Sequence, residues 1–261
     1  MTDVLDRILA KVIRAEQHIQ DFQLGRTAFF ESYPCKIGVK ADHQAGRRVY
    51  YLASLEAVPF TLAAIGSDVV QNLCSALDQI AYQTVVRQHG SRPDWKVYFP
   101  ISGSAEKYES TRKGVIKEVP KAVIDAIDAA EPYRGGKGHG FWVLKKLRNP
   151  DQHELMIAVD PYIGHVDVAF EIRAAMKAGG FPFEIPSFSL PLVPADRKPL
   201  KVGDALYDRP LGDEVQEQPQ FGFDISLYEP GVIEGEPAIK TFNEASDLVR
   251  GMIQTLSPFL R

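Results

Sequence analysis

The feature that most restricts the fold is a long, regular apolar pattern in residues 61–87. Apolar residues recur there at helical spacing: Leu62, Ile65, Val69, Leu73, Leu77, Ile80 and Val85. Pro59 precedes the stretch, where the start of a helix tolerates proline, and Gly90 follows it, where helices commonly end. The pattern therefore predicts a central helix around which the rest of the chain is arranged.

Composition indicates a globular protein with a substantial core. The 261 residues are 45% hydrophobic, and 30 Lys and Arg against 34 Asp and Glu give a formal net charge of −4. This balance argues against a general nucleic-acid coat protein but allows a local basic site. No apolar run reaches the roughly 20 residues of a membrane span, and the N-terminus carries acidic residues. With only Cys35 and Cys74 and no metal-ligand spacing, we expect a cytoplasmic protein without membrane, metal or cofactor.

Helical patterns also lie on both sides of the central helix. Residues 3–22 form an amphipathic stripe that we expect to end at Gly25. Residues 105–113 and the stretch after Pro120 predict shorter helices, and residues 242–260 predict the closing one.

Strand-favouring residues fall in two regions. A turn-rich stretch at 41–48 predicts a hairpin with strands near 35–41 and 47–56. The Pro- and Gly-rich region before the last helix predicts a small antiparallel sheet, with strands in residues 165–172, 183–193, 197–208 and 221–228.

Together these patterns predict an α+β, mainly helical fold in a single domain, 1–261. The helical core is an antiparallel bundle of residues 1–24, 60–158 and 241–261. A β-hairpin in residues 27–58 and a small antiparallel β segment in residues 160–238 complete it, the latter inserted before the last helix.

The strongest chemical signal is Arg148, followed after four residues by His153. Asn149 and Pro150 resemble a helix start, with Gln152 as a capping-box partner, so we expect a new helix to begin here after a compact one through 141–147. Arg148 and His153 would then converge at a helix N-terminus, which favours an anion. The guanidinium suits phosphate and the imidazole exchanges protons, so the pair could cleave a phosphodiester without a metal.

The surroundings of Arg148 support a basic site. The stretch 134–150 contains no Asp or Glu, and it supplies Lys145 and Lys146 as candidate substrate contacts, with His139 in a glycine-rich turn as a further one. The alternative is structural: the lysines form a solvated face, Arg148 pairs with a carboxylate, and His153 caps or packs.

The central helix supplies a second candidate set. Asp68 and Asn72 are four residues apart and share a face, whereas Asp78 is turned away from them. If that face meets the Asn149 helix, Asp68 would orient His153 and Asn72 would hold a phosphate or ribose. The alternative is hydrogen bonding between helices.

Residues 148–153 resemble the R-x4-6-H signature of the HEPN superfamily, with a polar residue directly after the arginine. The resemblance implies an antiparallel helical bundle, a homodimer with two facing motifs, and metal-independent endoribonuclease activity of a toxin or phage-defence type. Arg148, His153 and Asn149 would then be catalytic.

Residues 65–83, followed by N-x-D-x-H at 149–153, also resemble a group of uncharacterised bacterial proteins. Their pattern runs approximately I-G-D-x-x-H-N-L-R-S-A-L-D-H-L-A and then N-x-D-K-H-R. Here Gln71, Cys74 and Gln79 replace His, Arg and His, and Gln152 and Glu154 replace Lys and Arg.

Two hypotheses follow. In the first the protein is a HEPN-like ribonuclease, or binds RNA or a nucleotide. In the second it is a non-catalytic scaffold, antitoxin or regulatory protein with a cognate protein partner, which the missing cationic positions favour.

Overall fold

A computed structural model describes residues 2–153, 157–169, 172, 176, 179, 191–192, 198–212 and 218–260. The side chains of residues 2–3, 149–153 and 191–192 fall outside that description. Within the described part, six α-helices accompany two small antiparallel sheets, so the fold is α+β.

The predicted central helix is confirmed as α2, Phe60–His89. Pro59 stands directly before it, and Gly90 ends it at φ +81°, with its N–H donating to the carbonyl of Val86 at 3.0 Å. Glycine adopts this left-handed conformation without steric cost, so it can close the helix. Most of the apolar stripe is fully buried, including Val69, Leu73, Leu77 and Ile80.

The first helix, α1, runs over Thr2–Glu31, so the expected end at Gly25 is wrong. A Cβ on Gly25 would lie 2.8 Å from Cδ2 of the buried Leu62 on α2. The glycine therefore allows two helices to approach closely instead of ending one of them. The two helices pack against each other, and Val12, Ile19 and Phe22 of α1 enter the common core.

The shorter helices are confirmed as α3, Ala105–Val115, and α4, Lys121–Asp128, which Pro120 precedes. Helix α5 covers His139–His153. The closing helix, α6, covers Ala238–Leu256 and continues as a 3-10 turn, Ser257–Leu260. Helix α6 packs on α1, α2 and α5.

The predicted hairpin is confirmed as β1, Cys35–Asp42, and β2, Arg47–Leu55. A third antiparallel strand joins it on the β2 side. This is β5, Ala205–Pro210, from the late β region. The early hairpin and part of the late β region, which the sequence analysis predicts as separate β elements, thus share one sheet.

The second sheet has the order β4-β3-β6-β7. Its strands are β3, Val159–Asp167; β4, Pro191–Leu192; β6, Gln220–Glu229; and β7, Ile233–Pro237. The strand predicted at 221–228 is confirmed. The strand predicted at 165–172 ends early, because residues 169 and 172 are helical. Of the strand predicted at 183–193, β4 covers residues 191–192, and residues 183–190 and 193 lie outside the described residues.

Helix α2 is long and apolar enough to cross a membrane by length and composition alone. Over half of that apolar window, 56%, is buried by the surrounding helices, which is typical of the central helix of a water-soluble fold.

Candidate functional site

The site residues on α5 are positioned by the turn that precedes the helix. Gly135 adopts φ +84° and donates its N–H to Nδ1 of His139 at 3.2 Å. A Cβ on Gly136 would lie 2.5 Å from the carbonyl oxygen of Glu131, so a larger residue does not fit there. The glycines therefore serve a tight turn that sets the start of α5 at His139.

The structure does not start a helix at Asn149. Helix α5 continues without a break to His153, so the expected helix start is wrong. Residue 150 is a proline and has no N–H to donate to the carbonyl of residue 146, so the last turn of α5 lacks one helical hydrogen bond. Buried Phe141, Leu144 and Leu147 hold α5 against the core, and this packing prevails over the local capping pattern.

This correction removes the predicted anion site at a helix mouth. Positions 148 and 153 belong to the second half of α5, and the dipole at a helix C-terminus favours cations over anions. Five residues on an α-helix correspond to about 140° of rotation, so the two positions occupy different faces. The side chains of Asn149 and His153 lie outside the described residues, and their predicted roles stay predictions.

Two side chains of α2 hold Arg148. Its Nε donates to Oε1 of Gln71 at 3.0 Å, and its Nη1 donates to Oδ2 of Asp78 at 2.8 Å. The second oxygen of Asp78 accepts the N–H of Phe99 at 3.1 Å. The Arg148 side chain is 25% exposed and that of Asp78 35%. The guanidinium thus links α2 and α5 at the margin of the core.

Sequence reasoning included Asp78 in the second candidate set but gave it no role, because it is turned away from Asp68 and Asn72. In the structure Asp78 is the carboxylate that pairs with Arg148. A usable signal was present, because Gln71, Ser75 and Asp78 recur at helical spacing on α2. All three are partly buried in the structure. A half-buried polar row of this kind predicts a polar partner on a neighbouring helix.

Lys145 lies one turn before Arg148 on α5. Its Nζ donates to the carbonyl of Ile101 at 2.9 Å and lies 5.9 Å from the centre of the Tyr98 ring. Burial lowers the pKa of Lys145, and the charge of Asp78 opposes that effect in part. Lys146, by contrast, is exposed.

Asp68 and Asn72 share a face of α2, as predicted, but they do not reach Arg148 in a described contact. The side-chain amide of Asn72 donates to the backbone carbonyl of Asp68 at 2.8 Å, within the same helix. Asp68 is exposed. The expectation that Asp68 orients His153 stays untested, because the His153 side chain is outside the described part.

His139 stands apart from Arg148. Nine residues of helix separate them, which is about 13 Å along the axis. The His139 ring stacks on Trp142 with centroids 5.3 Å apart, and the Arg134 guanidinium lies 4.9 Å from the same indole. The structure therefore does not bring His139 to the site as a further contact of a ligand at Arg148.

The Cys74 thiol lies between α2 and α5, with Sγ 3.7 Å from the carbonyl oxygen of Leu144. Burial raises the pKa of Cys74 to about 12, against the smaller opposing effect of Arg148. A thiol with so little thiolate is a packing group, not a nucleophile. Among the residues that the structure describes, no group of three His, Cys, Asp or Glu side chains is arranged to hold a metal ion.

Comparison with known proteins returned no match: no family model, no curated protein and no solved structure is similar to this chain at the significance required.

Proposed function

We propose that this chain is a HEPN-like, single-domain protein of the cytoplasm that binds a phosphate group of RNA or of a nucleotide at Arg148. The arrangement of α1, α2, α5 and α6 as one antiparallel bundle, and its pairing as a homodimer, belong to the same proposal. The observation that carries it is a partly exposed guanidinium whose orientation is fixed by two side chains of α2.

The bonding of Arg148 supports this proposal. Gln71 and Asp78 take up Nε and Nη1, and no acceptor among the described residues bonds to Nη2. A pre-oriented guanidinium loses little freedom when it binds a phosphate oxygen, so less of the binding energy is lost in ordering it. Asp78 holds the cation in place as a positioning residue.

Charge supports it as well. Lys145 and Arg148 are both half-buried cations, and the single negative charge of Asp78 neutralises only one of them. Lys146 adds an exposed cation on the next position of α5. An excess of positive charge at a partly desolvated site favours an anion more strongly than the same charge in water.

Positions 148 and 153 of one chain occupy different faces of α5, so the catalytic form of the proposal requires the homodimer, in which two motifs face each other. There His153 acts as general acid or base, Arg148 stabilises charge developing on the phosphoryl group, and Asn149 helps to position that group. The protein would then be an endoribonuclease of a toxin or phage-defence type.

The test combines cleavage and binding. Purified protein is incubated with a labelled RNA in EDTA, beside Arg148→Ala and His153→Ala. We expect cleavage that both variants lose, while His153→Ala still binds RNA and Arg148→Ala does not. Cleavage that survives both substitutions would exclude the catalytic form, and binding of neither RNA nor a nucleotide by the unaltered protein would exclude the proposal.

A second function is favoured by the same contacts. The Gln71–Arg148–Asp78 bridge joins two core helices, as expected of a non-catalytic scaffold, antitoxin or regulatory protein that binds a cognate protein. In that case Arg148→Ala would lower the free energy of unfolding by ~1–3 kcal/mol, and neither the protein nor the variant would bind RNA. Arg148→Lys would not restore stability, because a single ammonium group cannot replace donors at both the Nε and the Nη1 position.

A further inference from the structure

A cleft of about 570 Å³ lies beside the hairpin sheet, between β1, β2 and the first residues of β6. Its volume falls in the range of sites that bind small molecules. Most of its lining is apolar, and Ile37, Val39 and Phe221 each keep part of their surface exposed to solvent. Val39 is 53% exposed, so apolar surface is available to a ligand.

Arg48 of β2 is the only charged residue among the described residues that line this cleft. It is partly buried, and its guanidinium makes no hydrogen bond or ion pair with any residue that the structure describes. A cation that has given up part of its hydration without gaining an acceptor from the protein attracts an anion more strongly than a fully hydrated cation does. Arg48 therefore offers its donors to a ligand in the cleft.

The acidic side chains of the same sheet lie on its opposite face. Asp42 and Asp208 are the two carboxylates of β1, β2 and β5, and they stand opposite positions 47 and 49 of β2. Successive side chains of a strand point to opposite faces, so neither carboxylate shares the face of Arg48. Asp42 instead accepts a backbone N–H of the hairpin turn at 2.9 Å, and Asp208 pairs with Arg47. The carboxylates of these strands therefore do not neutralise Arg48.

A second polar group, the amide of Gln218, is held at the same cleft. The hydroxyl of Tyr50 donates to Oε1 of Gln218 at 2.8 Å, and Tyr50 is itself only 2% exposed. A buried hydroxyl thus fixes the carbonyl end of an exposed amide. The Nε2 donors of that amide have no acceptor among the described residues. Arg48 and Gln218 together present hydrogen-bond donors at the edge of an apolar surface.

We propose that this cleft binds a small carboxylate that carries an apolar group. The carboxylate accepts hydrogen bonds from Arg48 and from the amide of Gln218, and the apolar group lies against Ile37, Val39 and Phe221. A planar guanidinium matches the two oxygens of a carboxylate, and its single charge balances a monoanion. Burial of the apolar group supplies the remaining affinity, and the charge selects against neutral molecules of the same shape.

This site is separate from the one in the proposed function. Arg48 lies on the hairpin sheet and Arg148 on α5, and the two share no described contact. Either proposal can therefore fail without the other.

Isothermal titration calorimetry on the full chain tests the proposal with octanoate, its neutral analogue octanamide, and acetate. We expect octanoate to bind about tenfold or more tighter than octanamide, because only the carboxylate gains a charge-assisted pair with Arg48. Acetate should bind weakest, because it has little apolar surface to bury. Equal affinities for octanoate and octanamide, or no binding of octanoate, would overturn the proposal.

A substitution of Arg48 locates the bound carboxylate. Arg48→Met keeps most of the side-chain length and removes the charge, so octanoate affinity should fall about tenfold while octanamide affinity stays unchanged. Arg92→Met is the matched control, because Arg92 also has no described ion pair but is exposed and lies outside the cleft. Octanoate affinity that Arg48→Met leaves unchanged, or that Arg92→Met lowers equally, would contradict the assignment.

A second variant keeps the test decisive if Arg48→Met unfolds in urea more readily than the unaltered protein. Gln218→Ala removes the amide at an exposed position, so the fold should be kept and octanoate affinity should fall several-fold. Unchanged octanoate affinity in Gln218→Ala would exclude the amide as a contact of the carboxylate and overturn the proposed binding mode.

Discussion

Arg148 of α5 donates from Nη1 to Oδ2 of Asp78 on α2 across 2.8 Å, which joins residues 70 positions apart in the chain. The same carboxylate accepts the N–H of Phe99 in the loop before α3. One side chain of α2 thus holds a second helix and a loop. The polar edge between α2 and α5 is organised by Asp78 and not by Asp68 or Asn72.

The first prediction concerns this carboxylate. Asp78→Asn removes the charge that faces Arg148 and leaves a half-buried cation with a neutral partner. We expect the free energy of unfolding in urea to fall by ~1–3 kcal/mol. Asp125→Asn is the control, because its pair with Lys121 is a solvent-exposed helix pair whose loss should cost below about 0.5 kcal/mol. An equal loss of unfolding free energy in the two variants would show that the Asp78 contacts stabilise the protein no more than an exposed ion pair does.

The second prediction concerns the close packing of α2. A Cβ on Gly66 would lie 2.6 Å from Cδ1 of Ile157 and 3.1 Å from Cζ of Phe242. Gly66→Ala should therefore destabilise the protein by ~1–2 kcal/mol, although alanine is the better helix former.

The control for Gly66→Ala is Gly251→Ala on α6, where nothing lies within 4 Å of the added Cβ. That substitution should stabilise by up to ~1 kcal/mol. Urea unfolding of both variants measures the difference, and a stabilising Gly66→Ala would contradict the observed contacts.

The third prediction concerns pH. The pKa of Cys74 is about 12 in the folded protein, against an ordinary value near 9.0. Between these values the unfolded chain releases this proton and the folded chain keeps it, so stability falls as pH rises from about 9 towards 12.

Cys74→Ala removes this dependence. Between pH 7.5 and pH 10, the free energy of unfolding measured in urea should fall by roughly 1 kcal/mol more in the unaltered protein than in Cys74→Ala. Comparison of the two losses cancels the contributions of other titrating groups. Identical losses would indicate that the thiol ionises equally well in both states.

The fourth prediction concerns the exposed cation beside Arg148. Under the proposed function, Lys146→Ala should weaken RNA binding several-fold and reduce the slope of log affinity against log salt by about 1. Lys36→Ala on β1 removes an equal charge from an exposed position outside the site. Fluorescence anisotropy at four salt concentrations measures both slopes. If Lys36→Ala reduced the RNA affinity and the salt slope more than Lys146→Ala, the RNA would bind at a site other than Arg148.

Local patterns predicted most elements well. Helix α2, the hairpin β1–β2 and strand β6 follow from residue spacing and turn residues, and each lies within two residues of its predicted bounds. These elements have strong apolar periodicity, which the fold satisfies without conflict between local preference and packing.

The failures have a common cause. Gly25 and Asn149–Pro150 carry local signals for a helix end and a helix start, but α1 and α5 pass through both. In α1 the close packing of Gly25 on Leu62 of α2 outweighs the local preference, and in α5 the burial of Phe141, Leu144 and Leu147 in the core does so. The addition of β5 to β2 also went unpredicted, because a pairing of strands about 150 residues apart leaves no local signal.

The sequence by itself determined an α+β protein with a central apolar helix and an acid-free basic stretch near Arg148, because periodicity and charge are properties of neighbouring residues. Only the tertiary structure decided that Arg148 sits in the second half of a continuous helix and that Asp78 and Gln71 hold it. The physical reason is distance along the chain: hydrogen bonds between residues 70 or more positions apart depend on how helices pack, and packing is decided by the whole core at once.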